Sequence, residues 1–374
     1  MNLRAKFAAR AIALLSCTWT ALRGPAQDAE PARTADLQRQ QQQVFRAALR
    51  RVAPCVVRIE TIGGAQPVRA VGEGDERVAA GFRQADGPTT GVIWSADGLI
   101  VSSSFNFIRD PAIITVALGD GRRFVGKLVA RDQAARLALV KVEAADLPVP
   151  QWLPTPELRP GQWALAAGFG HGSDEPAVSV GVVSALGRMS GLAVQTDAKI
   201  SPANYGGPLF DIEGRVIGVC VPMGPGEDEI AGVEWYDSGI GFAVPHEHLA
   251  RRVPRLMQGR DLRRGLLGVM LDLRDPVQGG GEDERPGPVA GVTIVEITPG
   301  PAAAGGLQPG DILTHIDGLP TPRPLDFRRA MAQRFAGDAI EAMYHRAGET
   351  RTAKLTLSSA DEIRALAPTS QPAP

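Results

Sequence analysis

The stretch 196–221, TDAKISPANYGGPLFDIEGRVIGVCV, decides the fold of this chain. Two apolar segments, 208–212 and 215–221, flank a Glu-Gly pair and therefore predict a β-hairpin. Residues 204–207 just before them, Asn-Tyr-Gly-Gly, predict a tight irregular loop, because asparagine and glycine adopt backbone angles that other residues avoid. A loop held by a hairpin can support a small site, and Tyr205 lies at its centre.

Composition limits the classes of function that fit the chain. Its 374 residues allow two or three domains, and 44% hydrophobic residues are enough to bury a core in each. The net charge is -1 and the pI is near 6.6. No cluster of lysine and arginine is evident along the sequence, which argues against a nucleic-acid-binding protein. Since there is no Cys-x-x-Cys motif and no Cys/His cluster, we expect neither metal nor cofactor.

The first 26 residues have the pattern of an export signal. Basic residues precede an apolar run that is too short to span a bilayer. One interpretation is cleavage after residue 26. Another is a lipoprotein signal ending before Cys17, because residues 14–17, Leu-Leu-Ser-Cys, resemble a lipobox, and a third is an uncleaved anchor. All three place the body of the protein outside the cytoplasm, in the periplasm or cell envelope, and a lipid on Cys17 is the membrane attachment considered.

Helical and strand patterns divide the following residues. Small polar residues over 27–35 predict a linker, and apolar residues at helical spacing over 36–51 predict an amphipathic helix. Short apolar runs then predict a mainly β region over 52–245, either a barrel or a sandwich, in which Cys55 and Cys220 are expected as buried free thiols. Besides the hairpin, the predicted strands are 52–62, 91–95, 99–103, 113–118, 124–130, 137–142, 163–168, 178–186, 192–196 and 239–244.

A second module follows a connecting segment at 246–262, which is predicted to be helical over 246–257. The module, 263–358, has a predicted strand at 292–297, a helix over 325–335 and a closing hairpin at Ala347-Gly348. A glycine-rich acidic insertion at 278–288 is expected as a surface loop. The tail, 359–374, is expected to be disordered because it is rich in proline, serine and alanine.

Five segments in order resemble landmarks of the HtrA-type, DegP-like serine proteases: GVIWSADGLIVSS, LALVKVE, GVVSALGR, QTDAKISPANYGGPL and SGIGFAVP. A later segment, TPGPAAAGGLQPGDILTHIDG, resembles the PDZ domain of that family. The resemblance implies a trypsin-like double β-barrel over 52–245, with six strands in each barrel and a site in the cleft between them. A PDZ-like α+β domain would follow over 263–358.

The positions that carry catalysis in this family hold unsuitable residues here. The histidine position is Phe105, which carries no proton, and the carboxylate position is Arg136, a permanent cation. The nucleophile position is Tyr205, whose phenol has an ordinary pKa of about 10 and would need a base. Ala203 replaces the glycine beside the oxyanion hole, and it would cost about 1 kcal/mol if that position requires a positive φ. We therefore expect a lost triad.

An active endopeptidase with a non-standard catalytic set is the alternative. The residues that could substitute are His171, the serines 102–104, Asp132 and Asp197, but each also suits an ordinary structural role. The interpretation that we prefer for Tyr205 and Phe105 is that their rings fill the cleft.

The PDZ-like module keeps residues that suit peptide binding. The loop Leu266, Leu267, Gly268 and Val269 resembles the one whose N–H groups receive a terminal carboxylate, and the strand after it can pair with an extended peptide. Phe327 and Met331 on the predicted helix would favour a hydrophobic last residue. The alternative is that these side chains only form the core of the module.

These expectations define a predicted function and predicted partners. The leading hypothesis is an exported pseudoprotease that binds peptides or unfolded proteins with hydrophobic C-termini, as a scaffold, chaperone-like protein or regulator. The family resemblance allows a homotrimer with Phe45 as a contact, or a mixed assembly with active relatives. A purely structural envelope protein is a further hypothesis.

Overall fold

One long helix, α1 (Ala26–Val52), opens the described part of the chain. The computed structural model describes residues 26–62, 89–108, 110–170, 174–224, 239–274 and 289–366, with side chains from residue 33 onward. Cys17 and the rest of residues 1–25 lie outside these ranges. The predicted linker at 27–35 is wrong, because this segment continues the helix; its alanines and glutamate favour helix and no glycine interrupts it.

Six short strands form the first barrel. They are β1 (Val56–Ile62), β2 (Thr89–Ile93), β3 (Leu99–Ser103), β4 (Ile113–Ala117), β5 (Arg123–Asp132) and β6 (Leu137–Val142). Hydrogen bonds close them in the order β1-β2-β3-β6-β5-β4. Ile59, Ile93 and Ile100 are among the fully buried side chains of its core. A closed barrel leaves no unpaired strand edge.

Six further strands form the second barrel. They are β7 (Trp163–Gly168), β8 (Ala177–Arg188), β9 (Ala193–Thr196), β10 (Pro208–Phe210), β11 (Val216–Val221) and β12 (Gly241–Pro245). They close in the order β10-β11-β12-β9-β8-β7. The predicted hairpin is the pair β10 and β11. The double barrel expected from the family resemblance is therefore confirmed.

The helix α1 packs on the second barrel. Ala48 and Val52 are buried against apolar residues that include Phe210 of β10. The ring of Phe45 meets that of Trp163 edge to face, with the ring centroids 5.4 Å apart. Phe45, considered from the sequence as an oligomer contact, thus has a partner within the chain.

Both predicted buried thiols are found. Cys55 and Cys220 are buried and free. Burial raises the pKa of the Cys55 thiol to about 11 and raises that of Cys220 as well. Both thiols therefore remain protonated near neutral pH, which makes them poor nucleophiles.

The third unit is an α+β domain, which follows the helix α2 (His246–Leu256). Its elements are β13 (Val269–Leu271), β14 (Val292–Ile297), α3 (Pro301–Ala304), β15 (Ile312–Ile316), β16 (Leu319–Pro320), α4 (Pro324–Met331), β17 (Ala339–Arg346) and β18 (Glu349–Thr356). The sheet order is β13-β14-β15-β17-β18, and β16 pairs with β15. The strand β13 therefore lies at one edge of the sheet. The predicted insertion at 278–288 lies outside the described residues.

The predicted disordered tail begins instead with a helix, α5 (Ala360–Leu366). Ser359 and Glu362 form a reciprocal cap in which the Glu362 N–H donates to Ser359 Oγ at 3.3 Å and the Ser359 N–H donates to Glu362 Oε2 at 2.6 Å. This is the Ser-x-x-Glu capping box, which starts helices. The prediction of disorder is wrong for 360–366 because the capping bonds between Ser359 and Glu362 stabilise the start of this helix. Residues 367–374 lie outside the described ranges.

A buried ion pair connects the first barrel, α2 and the third unit. Arg252 Nε lies 2.8 Å from Asp132 Oδ2, and both side chains are inaccessible to solvent. The guanidinium carbons of Arg252 and Arg255 lie 5.4 and 4.8 Å from the centroid of the Phe335 ring. Leu262, in the connecting segment, pairs with Asp132. No helix in the described ranges is long and apolar enough to cross a membrane.

Candidate functional site

Two aromatic rings occupy the candidate catalytic position between the barrels. Phe105 follows β3 of the first barrel, and Tyr205 lies in the loop before β10 of the second. Their ring centroids are 5.4 Å apart at an interplanar angle of 75°, and each residue is 3% exposed. Both belong to the apolar core of the second barrel. The structure thus brings together two of the three positions predicted to hold a degenerate triad.

Polar groups of the first barrel anchor the Tyr205 loop from the other side. Asn106 Nδ2 donates to the Tyr205 carbonyl at 2.9 Å and to Ser102 Oγ at 3.0 Å. The Thr90 hydroxyl donates to the Ala203 carbonyl at 2.8 Å. These side chains are buried or half-buried, so the bonds fix the loop firmly to the first barrel.

The loop also uses its own N–H groups. The N–H groups of Asn204 and Tyr205 both donate to the Ser201 carbonyl, at 2.9 and 3.2 Å. An oxyanion hole requires N–H donors that point to the reacting oxygen. The Tyr205 N–H, at the predicted nucleophile position, is directed back into the loop instead.

Ala203 was expected to be strained if its position required a positive φ. Ala203 does not have a positive φ, so alanine causes no strain of the kind predicted from the sequence. The residue that needs special backbone freedom is Gly206, whose φ is 87°. A Cβ there would lie 2.2 Å from the Thr90 carbonyl oxygen, so only glycine fits.

Arg136 lies at the end of the turn before β6. Its carbonyl accepts from the Ser104 N–H at 2.9 Å and from Ser103 Oγ at 3.1 Å, which places its backbone beside the Phe105 turn. Its φ of 57° is unusual for a residue with a side chain. The half-buried side chain lines a cavity that faces the third unit.

The residues considered as substitutes have structural partners. Asp132 pairs with Arg252, and Asp197 Oδ1 accepts from a backbone N–H at 2.6 Å. Ser102 Oγ and Ser103 Oγ donate to backbone carbonyls at 2.7 and 3.1 Å. Within the described residues, no group of three or more His, Cys, Asp or Glu side chains could hold a metal ion.

The described histidines likewise form no catalytic pair. His248 Nε2 contacts a backbone carbonyl at 2.9 Å, and the ring of His246 stacks on Trp152 with the centroids 5.0 Å apart. His315 contacts the neighbouring Thr314 hydroxyl at 3.1 Å. In the described ranges no histidine bonds to a serine or a carboxylate. His171 lies outside them.

The loop from Leu266 to Val269, which was predicted to receive a terminal carboxylate, leads into the edge strand β13. The Leu267 and Gly268 carbonyls accept from the N–H groups of Ala302 and Thr298, both at 2.9 Å. The N–H groups of Leu267 and Gly268 donate to no acceptor within the part of the chain that the structure describes. Gly268 has φ of 75°, which suits glycine. Beyond it, the edge strand β13 can accept a further strand.

The helix α4 differs from its prediction in length and in the face that it buries. It ends at Met331 rather than at residue 335. Phe327 and Met331, predicted to line the peptide groove, are 8% and 4% exposed and lie in the core of the domain. This is the periodicity of a helix on a sheet, which buries positions four apart. The exposed positions are Leu325, Arg328 and Arg329, and a contact of Phe327 and Met331 with a ligand stays a prediction.

Comparison with known proteins identifies both parts of this architecture. Residues 89–219 match the family described as "Trypsin-like peptidase domain", and residues 265–357 match the PDZ domain. HhoB of Synechocystis sp., named as a serine protease, is 32% identical over 297 residues, which are 73% of this chain and 68% of HhoB. The chain belongs to the HtrA/DegP family.

Other members of the HtrA/DegP family are longer than the matched region. Proteins named as periplasmic serine endoprotease DegP-like, from Marinomonas sp. and Pseudomonas fluorescens, are both 32% identical to this chain. The match spans 56% and 58% of their lengths, a little over half.

Solved structures of HtrA-type proteases have the same arrangement. The HtrA-type protease AlgW with a tripeptide matches 84% of this chain and 96% of its own, with a TM-score of 0.63 and 28% identity. The serine endoprotease from Yersinia pestis matches with a TM-score of 0.59 and 26% identity. The predicted mainly β fold, with a trypsin-like double barrel and a PDZ domain, is therefore confirmed.

Sequence reasoning about this HtrA-family chain missed one group of residues. Although no basic cluster is evident along the sequence, the fold brings together arginines from distant segments at the cavity beside Arg136: Arg136, Arg263, Arg264, Arg328 and Arg364. The Arg-Arg pairs at 263–264 and 328–329 are the local signals. The remaining members converge only through tertiary structure.

Proposed function

We propose that this protein is a catalytically inactive HtrA-family member that binds peptides or unfolded segments through its PDZ domain. The observation that supports the proposal is the contact of the Phe105 and Tyr205 rings, 5.4 Å apart and almost fully buried, at the positions predicted from the sequence for the histidine and the nucleophile. A serine protease needs a proton acceptor beside its nucleophile, and a phenyl ring cannot accept a proton. Arg136 offers a cation where that mechanism uses a carboxylate.

The loop conformation supports the same conclusion. The Tyr205 N–H donates to the Ser201 carbonyl, so an oxyanion at this place would lack one of its donors. Loss of the triad alone costs a serine protease about a millionfold in kcat, and the residual rate depends on an intact oxyanion hole. Both contributions are compromised here.

The PDZ domain supplies the binding function in this proposal. In the Leu266–Val269 loop, the N–H groups of Leu267 and Gly268 donate to no described acceptor and can therefore donate to a terminal carboxylate. The free edge of β13 can pair with an extended peptide backbone. The half-buried apolar side chains beside them, Leu266, Val269 and Leu271, favour a hydrophobic C-terminal residue. A homotrimer, or a mixed assembly with active relatives, would make this binding multivalent.

Export to the periplasm completes the proposal. The DegP-like relatives are named as periplasmic, and the N-terminal residues have the pattern of an export signal. Anchoring through a lipid on Cys17 is the variant of this location to be tested by mass spectrometry of the mature N-terminus.

Catalytic activity is tested with purified protein, an unfolded substrate such as casein, and a serine-directed fluorophosphonate probe. We expect neither turnover nor labelling. Turnover by this chain that survives removal of contaminants would show an active peptidase and overturn the proposal.

Peptide binding is tested with fluorescent peptides that end in a hydrophobic residue, each with a free or an amidated C-terminus. Gly268→Ala should weaken binding of the free acid, because alanine is strained at φ of 75° and the carboxylate loop must shift. Gly318→Ala is the matched control, since Gly318 has the same φ and its added Cβ would meet nothing within 4 Å. Equal affinity for acid and amide would contradict carboxylate recognition.

A further inference from the structure

The short helix α5 lies beside the carboxylate loop, residues 266–269, although it follows the segment that matches the PDZ domain. The Leu266 N–H donates to the Ser358 carbonyl at 2.8 Å, and the Ser358 N–H donates to the Leu266 carbonyl at 3.2 Å. Arg263 and Asp361 form an ion pair across the same junction. These contacts fix the start of α5 next to the start of the loop.

One side chain of α5 packs toward the domain. Ile363 is half-buried, and the other six residues of the helix are exposed. A Cβ placed on Gly300 would lie 3.5 Å from Ile363 Cγ1, 3.8 Å from the Leu267 carbonyl oxygen and 3.9 Å from Gly268 Cα. Gly300 therefore lies between Ile363 and the carboxylate loop, at contact distance from both.

The turn that contains Gly300 holds the carboxylate loop by its carbonyl groups. The N–H groups of Thr298 and Ala302 donate to the Gly268 and Leu267 carbonyls, both at 2.9 Å, and the Thr298 hydroxyl donates to the Gly268 carbonyl at 3.2 Å. The Leu267 carbonyl and the Gly268 N–H belong to one planar trans peptide group and point to opposite sides of it. The bond from Ala302 therefore also sets the direction of the Gly268 N–H.

The helix α5 is held by few interactions. Seven residues are too few for a helix to be stable alone in water. Its described attachments are the capping box, the half-buried Ile363 and an ion pair whose side chains are 43% and 62% exposed. Exposed ion pairs contribute little to stability. The helix can therefore undock from the domain by a local opening that leaves the PDZ sheet folded.

We propose that α5 is a positioning element of the peptide site and that its docking sets the affinity for a C-terminal carboxylate. This inference rests on the proposed peptide-binding function. When α5 is docked, Ile363 supports the turn at Gly300, and the Gly268 N–H is oriented before the peptide arrives. When α5 is undocked, the loop must be ordered by the peptide itself, which weakens binding. By linkage, a bound carboxylate stabilises the docked helix by the same factor.

The test measures binding of fluorescent peptides with a hydrophobic last residue and a free or an amidated C-terminus to the full chain. Ile363→Ala should weaken binding of the free acid about fivefold, a modest coupling between two sites, and leave the amide unchanged. Since alanine favours helix more than isoleucine does, the loss would not reflect a less helical α5. Leu366→Ala, at an exposed residue of the same helix, is the matched control and should change neither affinity.

Hydrogen exchange provides a second measurement that needs no peptide. In Ile363→Ala the amides of Thr298 and Ala302 should exchange faster, and in the wild type a saturating free acid should slow exchange over 360–366. An unchanged affinity of Ile363→Ala for the free acid, or an equal loss for acid and amide, would overturn the proposal. A wild type that binds neither peptide would contradict the proposed function and the coupling with it, whereas unchanged exchange at Thr298 and Ala302 would contradict the positioning role alone.

Discussion

At the scale of single residues, Tyr205 contributes to the stability of the fold. Its ring is buried in the second-barrel core and meets Phe105 edge to face. Such aromatic pairs contribute about 0.5–1.5 kcal/mol beyond the burial of their surface. The position that is predicted from the sequence to correspond to the nucleophile is therefore part of the core.

This role predicts unequal effects of two substitutions. Tyr205→Ala should lower the free energy of unfolding by about 3 kcal/mol, because it leaves a cavity beside Phe105. Tyr205→Phe keeps the ring contact and should cost clearly less. Urea denaturation of both variants measures the difference, and a similar loss in both would show that the ring contact is not what stabilises this position.

The pKa values of two histidines predict how the stability of the fold depends on pH. Burial lowers the pKa of His246 and of His248, and the charge of Arg252 lowers that of His248 further. In the unfolded chain both have the ordinary pKa of about 6.5, so below that pH the unfolded state binds more protons than the folded state. Stability should therefore fall as the pH decreases through this region. Urea midpoints from pH 7.5 to 5.5 test this, and the double variant His246→Phe, His248→Gln should have a flatter profile.

What could be predicted about residues depended on whether the signal was local. Phe105, Arg136, Tyr205 and Ala203 could be proposed as degenerate catalytic positions from the motifs around them, and that correspondence stays a prediction. The positive φ of Arg136 could not, because no glycine or asparagine marks it. The convergence of five arginines depends on the packing of domains, which no sequence window contains.

At the scale of elements, strands were predicted better than helix ends. Residues 137–142 and 163–168 were predicted with their observed bounds, because turns flank these apolar runs. The start of α1 and the existence of α5 were not predicted, because both segments are rich in small or polar residues, which are also typical of linkers and disordered tails. Tertiary contacts and caps decide such ends.

The cap of α5 gives a direct prediction. Ser359→Ala should destabilise this helix by about 1 kcal/mol, because it removes the side chain that caps the Glu362 N–H. Hydrogen exchange over 360–366 should become faster. Ser358→Ala is the control, since Ser358 bonds to Leu266 through its backbone alone. Unchanged exchange in Ser359→Ala would mean that packing on the PDZ domain, and not the cap, holds the helix.

At the scale of the whole molecule, the barrels and the PDZ domain share one junction. The buried pair Asp132–Arg252 and the ring of Phe335 lie at its centre, and Phe335 belongs to the same apolar core as residues of both barrels. Removing one partner of such a buried pair typically costs 3–5 kcal/mol. The junction should therefore make the domains unfold together.

Calorimetry of Phe335→Ala tests this coupling. The substitution removes the ring beneath Arg252 and Arg255, and we expect one thermal transition to separate into two. Phe124→Ala, at a ring that Arg122 covers within the first barrel, should lower the melting temperature without separating the transitions. A single transition in Phe335→Ala would show that the remaining contacts suffice.

The closed barrels also decide where copies of this protein can associate by strand pairing. Within the described chain, the open strand edges are those of β13 and β18 at the ends of the PDZ sheet and that of the two-residue strand β16, which pairs only with β15. The outer strand β18 carries Arg351 and Lys354, exposed charges that discourage pairing, whereas β13 is the apolar Val-Met-Leu segment. Between copies of this protein, β13 is thus the edge at which strand pairing would begin, and a peptide bound along it would block that pairing.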